Sequence, residues 1–163
     1  AGAADLLALL RDGRAVALIR HANAPGVGDP PGMRLGDCAT QRNLDDGGRR
    51  EAVALGARLR EAGIDEARIF TSRWCRARDT ASLLGFAAPT ELPALDSFFG
   101  ARGEAETRTA ALRAFLAQTP RGAPVLLVTH QVNITALTAV NPAQAEIVFV
   151  DAAPPHAVLG RLR

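Results

Sequence analysis

Short apolar runs alternate with helix-like segments along the chain, and this alternation restricts the possible folds more than any other feature. Six runs predict strands: Ala15–Ile19, Arg68–Thr71, Pro89–Leu92, Pro124–Thr129, Glu146–Val150 and Ala157–Leu162. Five segments predict helices: Leu6–Leu10 with an end near Gly13, Asp45 or Asp46 to Ala62, Cys75–Leu84, Glu104–Gln118 and Val132–Leu137. We therefore expect an α/β fold, a three-layer sandwich with a mostly parallel central sheet flanked by helices.

The length and composition bound the class of protein. The chain has 163 residues, which predicts a single domain over residues 1–163. No apolar run approaches the roughly 18 residues of a membrane span, so we expect none. A net charge of +2 and an aromatic content of 4% without tyrosine disfavour a nucleic-acid partner. The sequence begins at Ala1 without methionine, which leaves open whether a leader peptide preceded it.

Arginine or histidine side chains lie just after three of the predicted strands. Arg20 and His21 follow the first, Arg76 lies shortly after the second, and His130 follows the strand Pro124–Thr129. Because ligands bind beyond the carboxyl ends of strands in open α/β sheets, we expect these side chains at one edge. Every one of the 19 basic residues is arginine, whose guanidinium grips phosphate oxygens in pairs.

This set of residue types suits phosphoryl chemistry better than metal binding. Neutral imidazole is a nucleophile, and guanidinium groups neutralise the charge of a transferring phosphoryl group. The two cysteines have no metal-ligand spacing. We therefore expect neither a metal nor another cofactor. The polar stretch 23–43 lacks periodicity, and loops of that length in compact domains are usually functional.

Three motifs in this order resemble those of the histidine phosphatase superfamily, the phosphoglycerate-mutase-like enzymes. An apolar strand followed by Arg20-His21 is the first, and Ser72-Arg-Trp-Cys-Arg76-Ala-Arg-Asp-Thr80-Ala is the second. The third is an apolar strand that ends in His130. A further segment, Asn43-Leu-Asp-Asp-Gly-Gly-Arg49, looks like the start of the helix that follows the first motif in the family. The resemblance implies a phosphoglycerate-mutase-like fold and a phosphatase.

The sequence departs from the family pattern directly after the first histidine. Ala22 stands where glycine is usual, and Ala24 stands where a hydroxyl residue is usual, which puts phosphate contacts near residue 24 in doubt. The loop with Asp37-Cys-Ala-Thr-Gln-Arg-Asn43 resembles a bacterial subgroup that includes lipopolysaccharide core heptose phosphatases.

The resemblance implies a role for each motif residue. His21 is the expected nucleophile, phosphorylated during the cycle. Arg20, Arg76 and His130 are expected to hold the phosphoryl oxygens, and Arg42 is an additional candidate for this role.

The same resemblance implies a carboxylic acid that protonates the leaving oxygen. Its expected position is Asp96, four residues before Gly100, with Glu104 and Glu106 as fallback carboxylates. Gln131, the residue after the second histidine, cannot release a proton. His156 belongs to no motif and is expected to face solvent in a turn.

The two cysteines lie near two of the implied phosphate ligands. Cys38 precedes Arg42 by four residues, and Cys75 precedes Arg76 by one. If both arginines reach one phosphate, the cysteines are also close. We therefore expect a disulfide between Cys38 and Cys75 that pins the long loop, which favours a periplasmic or exported protein over a cytoplasmic one.

Several alternatives stay open at the level of sequence. The favoured function is metal-independent hydrolysis of a small phosphomonoester, for which a sugar phosphate is one candidate. A phosphoglycerate-type mutase, a phosphohistidine phosphatase and an inactive phosphate-binding module are the alternatives. The sequence does not fix the physiological substrate or the oligomeric state, although Glu146–Val150 is a candidate edge strand for dimerisation.

Overall fold

The computed structural model describes residues 2–163 and contains every strand and helix that the sequence predicts. The α-helices of this range are α1 (Ala3–Arg11), α2 (Asp46–Glu61), α3 (Cys75–Leu83), α4 (Ala105–Gln118) and α5 (Gln131–Thr138). The strands are β1 (Ala15–Arg20), β2 (Arg68–Thr71), β3 (Thr90–Glu91), β4 (Val125–Thr129), β5 (Ile147–Asp151) and β6 (Val158–Leu162). Across residues 2–163, no helix combines the length and the apolar character that a membrane crossing requires.

The strands form one mixed sheet in the order β3-β2-β4-β1-β5-β6. The first four strands of that order run parallel, whereas β5 and β6 pair antiparallel. The prediction of a mostly parallel sheet flanked by helices is therefore confirmed. The prediction that Glu146–Val150 is an edge strand is wrong, because β5 lies between β1 and β6 and uses both of its edges.

Two apolar clusters pack on opposite faces of this sheet and make the three layers. Alternate residues of β4 show the division, since side chains of a strand point to the two faces in turn. Leu126 and Val128 belong to the cluster that contains α1, α2 and α3, whereas Val125 and Leu127 pack with α4 and α5. The buried strand β4 therefore forms the centre of the sheet, with both faces covered.

The start of α2 is tied to the end of β1. Asp45 caps the helix, because its side chain accepts a hydrogen bond from the Gly48 amide at 2.7 Å. A Cβ on Gly48 would lie 2.1 Å from the carbonyl oxygen of Asn23, so only glycine allows this close approach. The contact brings the helix against the residues that follow β1.

The turn between β5 and β6 differs from the sequence expectation. His156 is buried rather than solvent-facing, and its Nδ1 lies 3.0 Å from the carbonyl oxygen of Asp151. The expectation was wrong because the turn folds back onto the end of β5, where a backbone carbonyl offers the imidazole a partner. No motif surrounds His156, and it lies on the loop that joins β5 and β6.

Candidate active site

The three strand ends that arginine or histidine follows meet at one edge of the sheet, as predicted. Strand β4 lies between β1 and β2, and all three run parallel, so their carboxyl ends are neighbours. Arg20 pairs in register with Thr129, the residue before His130. Thr71 pairs with Val128, which brings the start of the second motif to the same edge.

A cavity of about 120 Å³ opens at this edge and is lined by four of the predicted site residues. Arg20, His21, Arg42 and His130 all contribute to its wall. The remainder comes from the loop after β1, from Ser97 and Phe99, and from the first residues of α5. The structure thus joins two histidines and two arginines from separate parts of the chain.

His21 is buried with one ring nitrogen committed to the backbone. Its Nδ1 lies 2.9 Å from the carbonyl oxygen of Ala22, so Nδ1–H is the donor and the lone pair is on Nε2. Burial, helped by the positive charges of Arg76 and Arg20 and opposed by the backbone hydrogen bond to Ala22, lowers the pKa of His21 to about 3. The ring is therefore neutral near pH 7, as a nucleophilic imidazole requires.

His130 is buried beside His21, with ring centroids 5.4 Å apart. Its Nε2 lies 2.8 Å from Oγ of Ser72, which also accepts the Trp74 amide at 3.1 Å. Burial places the pKa of His130 well below its usual value, with further lowering by His21 and by the arginine charges. Its Nδ1 is buried without a hydrogen-bond partner among residues 2–163.

Arg76 lies behind the cavity rather than in its wall. It is 3% exposed, and Asp29 holds it through Nη1 at 2.8 Å and Nη2 at 3.3 Å. Its Nε is buried without a partner in the part of the chain that the structure describes. Because its charge lowers the pKa values of His21 and His130, Arg76 belongs to the same electrostatic environment.

The other two arginines are held by main-chain carbonyl groups. Arg20 donates from Nη1 to Pro142 at 2.9 Å, and its buried Nε has no partner within residues 2–163. Arg42 donates from Nε to Gly28 at 2.6 Å and from Nη1 to Ala24. The loop carbonyls therefore orient Arg42 while its side chain still lines the cavity.

Asp96 lies in a neighbouring cavity and is not in the wall that His21 lines. Its carboxylate is 1% exposed and accepts the Arg73 amide at 2.9 Å and the Arg73 Nε at 2.7 Å. The carboxylate also forms an ion pair with Nη2 of Arg73 at 2.6 Å, and Nη1 of Arg108 lies 3.9 Å from its Oδ2. The neighbouring cavity measures about 600 Å³ and shares Val27, Gly28, Ser97 and Phe99 with the smaller one.

The fallback carboxylates and the glutamine differ in position. Glu104 lines the 600 Å³ cavity and pairs with Arg108 at 2.9 Å. Glu106 is exposed on the first turn of α4 and lines neither of the two cavities. Gln131 lines the small cavity, but its amide cannot give up a proton.

Cys38 and Cys75 form a disulfide, with their Cα atoms 5.8 Å apart. It joins the long loop to the first residue of α3, directly before Arg76. Gln41 strengthens the junction, because its Oε1 accepts the Cys75 amide at 2.9 Å. The loop that carries Asp29 and Arg42 is thus fixed to the helix that carries Arg76.

Sequence reasoning missed two polar side chains that organise the site. Ser72 was noted only as the start of the second motif, yet it contacts His130. Asp29 was not singled out, because it lies in an aperiodic loop where no spacing relates it to Arg76. The position of Ser72 directly after β2 was a usable signal, whereas the partner of Asp29 was visible only in three dimensions.

Among residues 2–163, no group of three or more histidine, cysteine, aspartate or glutamate side chains is placed to hold a metal ion. The site is instead a concentration of guanidinium and imidazole groups. Such a surface suits an anionic ligand, because guanidinium presents a fixed fork of donors to paired oxygens.

Solved structures with the same fold include several phosphatases. The protein histidine phosphatase SixA complexed with tungstate matches with a TM-score of 0.64 and 19% identity, covering 91% of this chain and 96% of that one. The mycobacterial glucosyl-3-phosphoglycerate phosphatase Rv2419c has a TM-score of 0.59 and 20% identity, with coverages of 84% and 89%. The phosphoserine phosphatase of Entamoeba histolytica has a TM-score of 0.64 and 12% identity, with coverages of 91% and 96%.

Sequence comparison is consistent with this structural similarity. No curated protein matches the chain significantly. The sequence model of the histidine phosphatase superfamily (branch 1) matches residues 16–98, about half of the chain. That range contains Arg20, His21 and Arg76. The chain therefore belongs to the histidine phosphatase superfamily and is a phosphatase.

Proposed function

We propose that the chain hydrolyses small phosphate monoesters through a phosphohistidine intermediate on His21, and that residues 1–163 form one domain. One observation carries the proposal: the buried Nε atoms of Arg20 and Arg76 and the buried Nδ1 of His130 have no partners within residues 2–163. Leaving buried polar groups unpaired costs about 1–3 kcal/mol each. A bound phosphoryl group would supply oxygen acceptors beside the neutral His21.

In the first half of the reaction, His21 attacks phosphorus through the lone pair on Nε2. The N–P bond forms as the bond from phosphorus to the leaving oxygen breaks, and that oxygen takes a proton. Water then attacks phosphorus and gives one proton to the Asp96 carboxylate left by the first half, the N–P bond breaks, and inorganic phosphate, neutral His21 and protonated Asp96 result. The hydrogen bond from Nδ1 to Ala22 orients the ring throughout.

The arginines and His130 stabilise the charge that spreads over the phosphoryl oxygens. Arg20 and Arg42 line the cavity, and Arg76, which lies behind them, adds its charge and its unpaired Nε. Donation from Ser72 to Nε2 of His130 leaves the ring proton on Nδ1, which then acts as a neutral donor to an oxygen. One preorganised donor of this type is typically worth about 10²–10³ in rate.

Asp96 is the proposed proton donor, although it accepts hydrogen bonds from Arg73 in this conformation. Donation requires one carboxyl oxygen to carry a proton and Arg73 to turn away. The Arg73 side chain is 44% exposed, which leaves it room to turn toward a bound anion once the contacts to Asp96 break. In the proposal, substrate binding draws Arg73 from Asp96 and leaves the carboxyl group for the leaving oxygen.

The leaving group has a defined space next to the phosphoryl site. The 600 Å³ cavity adjoins the smaller one and combines polar side chains with Trp74, Met33 and Phe99. A polar organic alcohol such as a sugar fits this mixed lining. The substrate class we propose is therefore a small phosphorylated organic molecule.

The proposal is tested by hydrolysis of p-nitrophenyl phosphate in the presence of a chelator. Wild-type protein, His21→Ala and the control His156→Ala are compared, since His156 lies at the β5–β6 turn and lines neither cavity. We expect hydrolysis by the wild type and by His156→Ala, and its loss in His21→Ala. Hydrolysis at the wild-type rate by His21→Ala would refute the proposed nucleophile.

A further inference from the structure

Asp29 is the most highly coordinated side chain of the long loop, and no motif accounts for it. Its Oδ1 accepts the Arg42 amide at 3.2 Å and Nη1 of Arg76 at 2.8 Å. Its Oδ2 accepts Nη2 of Arg76 at 3.3 Å and Nε1 of Trp74 at 3.0 Å. Burial opposes ionisation, but these hydrogen bonds hold the pKa of Asp29 below its usual value, so it is a carboxylate near neutral pH.

The carboxylate occupies only one edge of the Arg76 guanidinium. It contacts both terminal nitrogens and therefore covers the end of the fork. The side edge consists of Nε–H and the second N–H of Nη2, and Asp29 does not contact it. Nε is buried without a partner among residues 2–163. Guanidinium has five N–H groups in a fixed plane, so one anion on the end edge leaves room for another on the side edge.

The negative charge of Asp29 also reduces the electrostatic repulsion among the neighbouring arginines. Burial lowers the pKa of Arg42, and the charge of Arg76 lowers it further, whereas Asp29 opposes this effect. Burial and the charge of Arg76 likewise lower the pKa of Arg20. Arg76 and Arg42 thus share the Asp29 carboxylate, which offsets part of their mutual repulsion, while the charge of Arg76 also acts on Arg20.

We infer that Asp29 is a positioning residue, which holds Arg76 by its end edge so that its side edge is presented to the phosphoryl group. This inference rests on the proposed function. The alternative interpretation of the same contact is that Asp29 occupies the place of the substrate on Arg76 and blocks it. The two readings predict opposite changes in phosphate affinity when the charge is removed.

The test is Asp29→Asn, which keeps the shape of the side chain and removes its charge. We measure kcat and KM with p-nitrophenyl phosphate and the inhibition constant of inorganic phosphate. Losing a charge-assisted hydrogen bond on Arg76 predicts a rise of about ten- to a hundredfold in that inhibition constant, together with a fall in kcat. Asp29→Glu keeps the charge, so its kcat and its phosphate inhibition constant should lie between those of Asp29→Asn and the wild type.

The matched control is Asp37→Asn in the same loop. Asp37 also pairs with an arginine, Arg34 at 2.7 Å, but both side chains are exposed and neither lines the small cavity. We expect less than about a fivefold change in the phosphate inhibition constant, as for an exposed ion pair. An equal effect in both variants would show that Asp29 only supports the loop and would overturn the inference.

Tighter phosphate inhibition or a higher kcat in Asp29→Asn would show that Asp29 blocks Arg76. That result would also overturn the inference that Asp29 is a positioning residue. If Asp29→Asn does not fold, Trp74→Phe removes one donor to Asp29 and keeps an aromatic ring beside His130. It is then expected to raise the phosphate inhibition constant by about two- to tenfold, and an unchanged constant would contradict the inference. Absence of hydrolysis and of phosphate binding in the wild type would instead refute the proposed function itself.

Discussion

Oγ of Ser72 lies 2.8 Å from Nε2 of His130, and this hydrogen bond joins the ends of β2 and β4. Both side chains are buried, and Ser72 also accepts the Trp74 amide. The hydroxyl therefore fixes the orientation of the imidazole in a place that water cannot reach freely. In the proposed reaction, this serine outside the cavity wall determines which nitrogen of His130 carries the proton offered to a phosphoryl oxygen.

Ser72→Ala is predicted to lower kcat for p-nitrophenyl phosphate by about tenfold, because the ring of His130 loses its orienting partner. Steady-state kinetics measure the effect. The control is Ser82→Ala on the exposed side of α3. Equal rates for Ser72→Ala and Ser82→Ala would show that the hydrogen bond does not contribute to turnover.

The buried histidines predict a loss of stability in mild acid. The folded-state pKa of His21 is lowered to about 3 and that of His130 is also lowered, whereas unfolded histidine titrates near 6.5. Below pH 6.5 the unfolded chain therefore binds more protons than the folded one, so stability is present above that pH and falls as pH decreases. For His21 the slope between pH 6 and 5 should approach about 1.4 kcal/mol per pH unit, and His130 contributes in the same direction.

Urea unfolding at pH 7, 6 and 5 measures this slope. His21→Asn removes one of the two groups, so its free energy of unfolding should depend less steeply on pH. The carboxylates with lowered pKa values, such as Asp29 and Glu146, affect stability mainly at lower pH. An identical slope in His21→Asn and wild type would contradict the neutral, buried state of His21.

The disulfide is predicted to stabilise the fold as well as the site. Its sequence separation of 37 residues corresponds to about 3–4 kcal/mol in the chain-entropy model. Dithiothreitol should therefore lower Tm and reduce activity, because the loop with Asp29 and Arg42 loses its link to α3. The Cys38→Ser, Cys75→Ser double variant serves as the control, and its Tm should be low and insensitive to the reductant.

Much of this architecture follows from local sequence. The buried strand Pro124–Thr129 and a cap of α2 at Asp45 or Asp46 were both predicted, because apolar runs and capping residues act over a few positions; the structure has the strand at Val125–Thr129 and the cap at Asp45. The shared edge of Arg20, His21 and His130 was predicted because each follows a strand, and the carboxyl ends of parallel strands lie at one edge of the sheet. The pairing of Asp96 with Arg73 and of Asp29 with Arg76 did not follow, because ion pairs across loops depend on packing that no local pattern encodes.

The role of Asp96 as proton donor is tested by comparing substrates with good and poor leaving groups. A general acid matters most when the leaving oxygen is a poor leaving group, and such catalysis is typically worth about 10²–10⁴. Asp96→Asn should therefore lose far more activity with an alkyl phosphate than with p-nitrophenyl phosphate. Glu104→Gln is the control in the same cavity. If Asp96→Asn lost the same fraction of activity with both substrates, proton donation by Asp96 would be excluded.

The most direct test of the central claim is to trap the phosphoenzyme. Protein mixed rapidly with a ³²P-labelled phosphate monoester is quenched in alkali, where phosphohistidine survives, and the labelled peptide is identified by mass spectrometry. The account predicts label on the peptide that contains His21 and none in His21→Ala. Label on another residue, or full turnover by the wild type without any label at His21, would contradict it.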